Sequence, residues 1–155
     1  MGLAPGLRAS VRLIVTDTDT AAQIGSGDVS VLATPRLLAL AEAAAVAAIT
    51  PTLEPGLTSV GTAVSMEHKR ASPVGAEVVV EAELTEVDGR RLVFSFIAWQ
   101  RPREAPGGAG GLGGAAAGSA GAGRPDDEDD SAVVGAGTVE RVIVNRERFV
   151  AGARR

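Results

Sequence analysis

There is no cysteine anywhere in the 155 residues, which removes disulfides, thiolate catalysis and cysteine-based metal sites. Histidine occurs once, at His68, so no two-histidine metal motif exists either. Aromatic residues make up 3% of the chain, with no tyrosine at all, so the core must be aliphatic and rich in alanine. Basic residues form no cluster and the net charge is −4, which argues against nucleic acid as a partner. No apolar run approaches the ~20 residues needed to cross a bilayer. The opening MGLAPGLRAS lacks the apolar stretch of a secretory leader. A cytoplasmic protein with no membrane partner is the expectation.

What is present is enough for one packed domain over 1–155: 45% of the residues are hydrophobic. The stretch TPRLLALAEAAAVAAI at 34–49 organises the rest. Alanine and leucine are strong helix formers, and Thr34 followed by Pro35 reads as a capping hydroxyl and a first-turn proline. Thr50-Pro51 ends the helix, because proline disfavours helical geometry in the residue before it. From Leu37 to Ile49 every residue is apolar except Glu42. A helix apolar on every side is expected to be buried all round. Glu42 then sits in the core, paired, hydrogen-bonded or protonated, unless it lies on a narrow solvated stripe.

Before the helix, SVRLIVT at 10–16 reads as a short strand and residues 17–30 as a loop. After it, residues 58–70 read as a long strand and ASPVG at 71–75 as a loop. Residues 77–87 alternate, with Val78, Val80, Ala82 and Leu84 on one face and Glu77, Glu81, Glu83 and Thr85 on the other. Asp88-Gly89 is a hairpin-turn pair, and residues 91–100 return with Leu92, Phe94, Phe96 and Ala98 facing inward. Residues 132–145 form a last strand, where Gly135 and Gly137 mark a bulge or a close backbone contact. The basic tail at 146–155 is expected to fray.

Between the last two strands lies a Gly/Ala/Asp-rich insertion at 102–131, read as a disordered linker inside a hairpin. GAGGLG at 108–113 matches a dinucleotide fingerprint in letters alone, because no strand-to-helix turn surrounds it. The acids at 126–130 lack the spaced ligands of a calcium loop and read as a solvated charge run.

Strand, long helix, then four antiparallel strands is an α+β order. It is the order of a hotdog fold, a curved antiparallel sheet wrapped around one long central helix. Such a sheet leaves an edge strand to be covered, so a homodimer is expected.

Five segments together carry a more specific resemblance: LATP with the helix acid eight residues after its threonine, SVGTAVSMEH at 59–68, ASPVG at 71–75, LTEVDGRRLVF at 84–94 and GAGTVERVIVNRERF at 135–149. In this order and spacing the chain resembles the fluoroacetyl-CoA thioesterase-like branch of the hotdog acyl-CoA thioesterases. The resemblance implies a catalytic set of Thr34, Glu42 and His68, with Gly61 bringing its backbone to the thioester carbonyl. It implies an acyl-CoA substrate with a small or medium acyl group, coenzyme A as the carrier part of that substrate, and no metal or redox cofactor. Two departures stand out. The last strand has Gly137-Thr138-Val139 where this branch commonly has Gly-Thr-His. The segment before the helix, at 24–29, holds no aromatic residue where the fluoroacetyl-specific enzyme carries lid phenylalanines.

Each residue also has a plainer reading. His68 is the side chain poised for proton transfer near neutrality, or a structural histidine beside Lys69 and Arg70. Glu42 can serve as general base, as nucleophile, or as the group that orients His68. Thr34 can be a helix cap worth ~1 kcal/mol, and Gly61 a place of close packing. On one straight helix Thr34 and Glu42 are separated by a rise of about 12 Å, so they meet only through a folded-back loop or across two subunits. Two other functions fit the same residues: a hotdog enoyl-CoA hydratase or dehydratase, and a non-catalytic acyl-CoA binding module.

Overall fold

One long helix and five strands, at the places their residue patterns mark, make up most of a computed structural model, which describes residues 2–102 and 132–155. Apart from Pro102, the insertion expected at 102–131 lies outside the described residues, as does the GAGGLG stretch. Strand β1 (Arg8–Ile14) is followed by a short helix α1 (Ala21–Ile24) and the long helix α2 (Thr34–Ile49). Strands β2 (Leu57–His68), β3 (Glu77–Asp88), β4 (Arg91–Gln100) and β5 (Val133–Asn145) come next, then a helix α3 (Arg146–Ala153).

The five strands form one antiparallel sheet in the order β1-β3-β4-β5-β2. This is not a simple meander. Strands β3, β4 and β5 follow one another, but β2 pairs with β5 and so crosses to the far edge. Alternation explains the core: Val78, Val80, Ala82 and Leu84 of β3 and Leu92, Phe94, Phe96 and Ala98 of β4 are all buried. They pack with α2, which lies mainly against β1 and β3, to give the hotdog arrangement of helix and sheet.

Four expectations change. Helix α2 is not buried all round: Leu37, Leu40, Ala41, Ala44, Ala45, Ala48 and Ile49 form a buried stripe, whereas Ala39, Ala43 and Val46 are exposed. Alanine is cheap to leave in water, so an apolar composition alone does not fix burial. Residues 17–30 are not all loop, because a 3-10 turn at Asp17–Asp19 and helix α1 occupy part of them. The tail folds as α3, capped by the Asn145 side chain, which accepts from the Arg148 N–H at 3.1 Å. The β3–β4 turn is one residue later than Asp88-Gly89. Asp88 pairs with Arg91, leaving Gly89 and Arg90 as the loop, with Gly89 at φ +59° in the first central position.

Candidate active site

Thr34 is brought to its place by the run of chain before it. Leu32 N–H donates to the Ser72 carbonyl at 2.8 Å and Ala33 N–H to the Asp19 carbonyl at 2.9 Å, so the helix entrance is stitched to two loops. The buried Asp19 carboxylate accepts from Arg36 Nε at 2.8 Å and from Thr16 N–H at 2.8 Å, which ties the first turn of α2 to the same loop. Burial alone would raise the Asp19 carboxyl, but Arg36 and Thr16 outweigh it and hold it below the usual range.

Ala33 is the N-cap of α2, and Thr34 is its first helical residue. The capping role expected of Thr34 is therefore not the one it takes. Its hydroxyl is free for another partner, and Oγ1 lies 2.8 Å from His68 Nδ1. Strand β2 ends at His68, opposite Gly135. A Cβ on Gly135 would stand 2.5 Å from the Glu67 carbonyl, and one on Gly137 would run into the Ser65 carbonyl. Both glycines thus permit close backbone approach, and Gly135 also adjoins a register shift against Ala98 and Trp99 of β4. Beyond His68, the N–H groups of Lys69 and Arg70 donate to the Val134 carbonyl at 2.7 and 3.1 Å, locking this end of β2. Burial pushes the His68 imidazole below its ordinary pKa, with a backbone contact at Arg70 in partial opposition. Its Nε2 is buried with no hydrogen-bond partner among the described residues.

Glu42 occupies a second cluster. Its carboxylate, about a third exposed, accepts from Arg141 Nη1 at 2.8 Å. The same guanidinium, 8% exposed, donates through Nε to Ser59 Oγ at 2.8 Å and through Nη2 to the Ser59 carbonyl at 2.9 Å. Three charge-assisted bonds fix one planar group, which in turn fixes Glu42. Gly61, paired with Arg141 in the ladder, lies directly under the carboxylate: a Cβ there would stand 2.5 Å from Glu42 Oε2.

The structure therefore joins Thr34 to His68, and Glu42 to Gly61, within one chain; no hydrogen bond links the two pairs. Glu42 orients toward Arg141, not His68. Sequence reasoning missed Arg141, though a signal existed. Arg141 shares a strand face with Val139 and Ile143, so it is a charge on an apolar face, and Glu42 is the lone acid of the apolar helix.

Chemically, the first pair is a hydroxyl held against a largely neutral imidazole, the geometry by which a base activates a nucleophile. The second presents a fixed carboxylate over a glycine backbone. Among the described residues no group of three His, Asp or Glu side chains could hold a metal ion.

Residues 15–108 match the profile of the fluoroacetyl-CoA-specific thioesterase family. The chain is 35% identical over 124 residues to the fluoroacetyl-CoA thioesterase of Streptantibioticus cattleyicolor, a match covering 80% of this chain and 68% of that protein. It is similar in structure to a crystallised fluoroacetyl-CoA thioesterase, with a TM-score of 0.74 at 29% identity, over 99% of this chain and 97% of the other. A variant of that thioesterase in complex with acetyl-CoA matches equally well, at 0.74 and 29%, over 98% of this chain and 97% of its own. A thioesterase-superfamily protein of Thermus thermophilus, 22% identical with a TM-score of 0.72 over 97% of this chain and 90% of its own, shares the fold.

Proposed function

The chain belongs to the fluoroacetyl-CoA-specific thioesterase family and hydrolyses acyl-CoA thioesters, and we propose that it does so on small or medium acyl groups with Thr34, His68 and Glu42 as its catalytic residues. The observation that carries this reading is the 2.8 Å contact between Thr34 Oγ1 and His68 Nδ1. Nδ1 accepts the threonine proton as Oγ1 attacks the thioester carbonyl, and the imidazolium returns that proton to the departing CoA sulfur. Water then attacks the acyl-threonine carbonyl, His68 takes the water proton, and the imidazolium gives it to Thr34 Oγ1 as the acyl–oxygen bond breaks, releasing the acid and restoring the free hydroxyl. Glu42, aimed by Arg141, orients that water or serves as a second acceptor, and Gly61 lets the carbonyl lie against the backbone. The attacking hydroxyl and the group that moves its proton are both side chains, so the reaction calls on no metal or redox cofactor, and coenzyme A enters as the carrier part of the substrate and leaves as the free thiol.

The working form is a cytoplasmic homodimer. Among the described residues strand β2 is an uncovered edge, exposed over residues 61–65, and the bare side of α2 carries the exposed Ala39, Ala43 and Val46. Antiparallel pairing of two β2 edges about residues 63–64 carries the His68 end of one strand toward the Ser59–Gly61 region of the other. The Thr34–His68 pair of one subunit and the Glu42–Gly61 pair of its partner then share one cleft, which answers the separation of about 12 Å along a single helix.

Thiol release from a panel running from acetyl-CoA and fluoroacetyl-CoA to medium-chain esters tests the reading, beside a His68→Ala control. Release that the control abolishes supports hydrolysis at this site, and the best ester names the acyl class. Segment 24–29 offers Ile24 and Val29, both exposed, and no aromatic ring, so fluoroacetyl-CoA is expected to have no advantage over acetyl-CoA. No release from any ester would sink the reading.

A further inference from the structure

An open cavity of about 610 Å³ lies where β2 begins, β5 ends and α3 starts. Its walls are Leu57, Ile143, Val144 and Phe149, and Arg90 and Arg148 stand at it with Asn145. The volume falls within the range of roughly 300–1,000 Å³ typical of small-ligand sites. Arg90 is exposed at the tip of the β3–β4 turn, and Arg148 is exposed on α3. Neither guanidinium has an ion pair or side-chain hydrogen bond among the described residues. This sets them apart from Arg8, Arg12, Arg36, Arg91, Arg101 and Arg141, all of which face a carboxylate.

The cavity lies further along the same strand ladder as Gly61 and Arg141. Gly61 pairs with Arg141, Ser59 with Ile143 and Leu57 with Asn145 along one ladder. Alternate residues share a face, so Leu57, Ser59 and Gly61 line one side of β2, and Arg141 and Ile143 line the same side of β5. Ile143, a wall of the cavity, stands opposite the serine that Arg141 grips. Leu57 is about 13 Å from Gly61 along the strand. An extended phosphopantetheine arm spans such a gap.

We propose that this cavity receives the phosphorylated adenosine end of coenzyme A, with Arg90 and Arg148 as its phosphate-binding residues and Phe149, Leu57 and Ile143 as the wall against its base and ribose. Guanidinium groups fit phosphate oxygens bidentately, and an exposed ring beside them offers the adenine a stacking face. The proposal rests on acyl-CoA being the substrate and names the part of the protein that holds the carrier.

The test compares acyl-CoA with the matching acyl-pantetheine thioester, which lacks the nucleotide, in the wild-type protein and in the Arg90→Ala/Arg148→Ala double variant. The wild-type preference for acyl-CoA, measured as kcat/KM, is expected to collapse by tenfold or more in the variant, chiefly through KM. A preference that survives intact overturns the proposal. A second arm needs no turnover: calorimetric binding of adenosine 3′,5′-bisphosphate, expected for the wild type and weakened at least tenfold in the variant. No binding by the wild type overturns the proposal, and inorganic phosphate binding as tightly as the nucleotide overturns the role given to the apolar wall. If no acyl-CoA is hydrolysed at all, the thioesterase reading fails while the binding arm still decides the cavity.

Discussion

At the scale of single residues the site depends on two contacts, and each makes its own prediction. His68→Ala removes the proposed base and Thr34→Val the proposed nucleophile; each is expected to lower kcat/KM for acyl-CoA by about 10²-fold or more, read by thiol release, with the fold retained by circular dichroism. Because burial holds the His68 pKa down, the imidazole remains an unprotonated acceptor below the ordinary histidine value of about 6.5. The acid limb of the kcat/KM–pH profile is therefore expected on the acidic side of that value. The same sign applies to stability. The unfolded chain takes up a proton at His68 more readily than the folded one, so this contribution is complete above about pH 6.5 and is lost as pH falls toward the folded value. An acid limb centred above 6.5 would count against His68 as the base. Arg141→Met leaves Glu42 without its partner and is expected to cost about 1–3 kcal/mol in denaturant unfolding, less than a fully buried pair because Glu42 is about a third exposed. Arg141→Lys recovers part of it, since an ammonium replaces the contact to Glu42 without the fork onto Ser59.

At the scale of elements, α2 and β2 do the positioning. The helix entrance is held by Asp19 and Arg36, so Asp19→Asn is expected to lower stability by about 1–2 kcal/mol and to loosen Thr34, with a fall in kcat larger than any change in KM. The Asp19 carboxyl is held below its usual range, so its contribution is present above the unfolded value of about 3.9 and is lost as pH falls below it. Strand β2 is an edge of the sheet and carries Val64 at 46% exposure. On the proposed two-subunit site, Val64→Lys is expected to shift sedimentation toward monomer and to lower activity together, because a charge on each edge repels its copy. Full activity in a sedimenting monomer would refute the two-subunit site.

At the scale of the whole molecule, Trp99 of β4 pairs with Val133 of β5, so the two ends of the insertion leave the sheet side by side. Excision of residues 107–130 leaves a short connection between strands that are already neighbours. It is expected to change kcat/KM by less than about twofold and the melting temperature by no more than about 4 °C, since loop length enters stability only logarithmically. Loss of solubility or of the dimer in that variant would make the insertion structural.

Much of this protein was legible in its sequence. Alternation in β3 and β4 and the proline-bounded helix follow from local periodicity, which acts over a few residues, and the ordered segments around Thr34, Glu42, Gly61 and His68 pointed to the family. Partnership was not legible, because it joins positions far apart in the chain. Tertiary structure alone decided that β2 crosses to pair with β5 and that Thr34 gives up its cap to meet His68, 34 residues on. It also decided that Glu42 is held by Arg141, 99 residues away. The side of α2 left in water was likewise set by which strands the helix lies on, since alanine is indifferent enough to burial that its own composition could not choose.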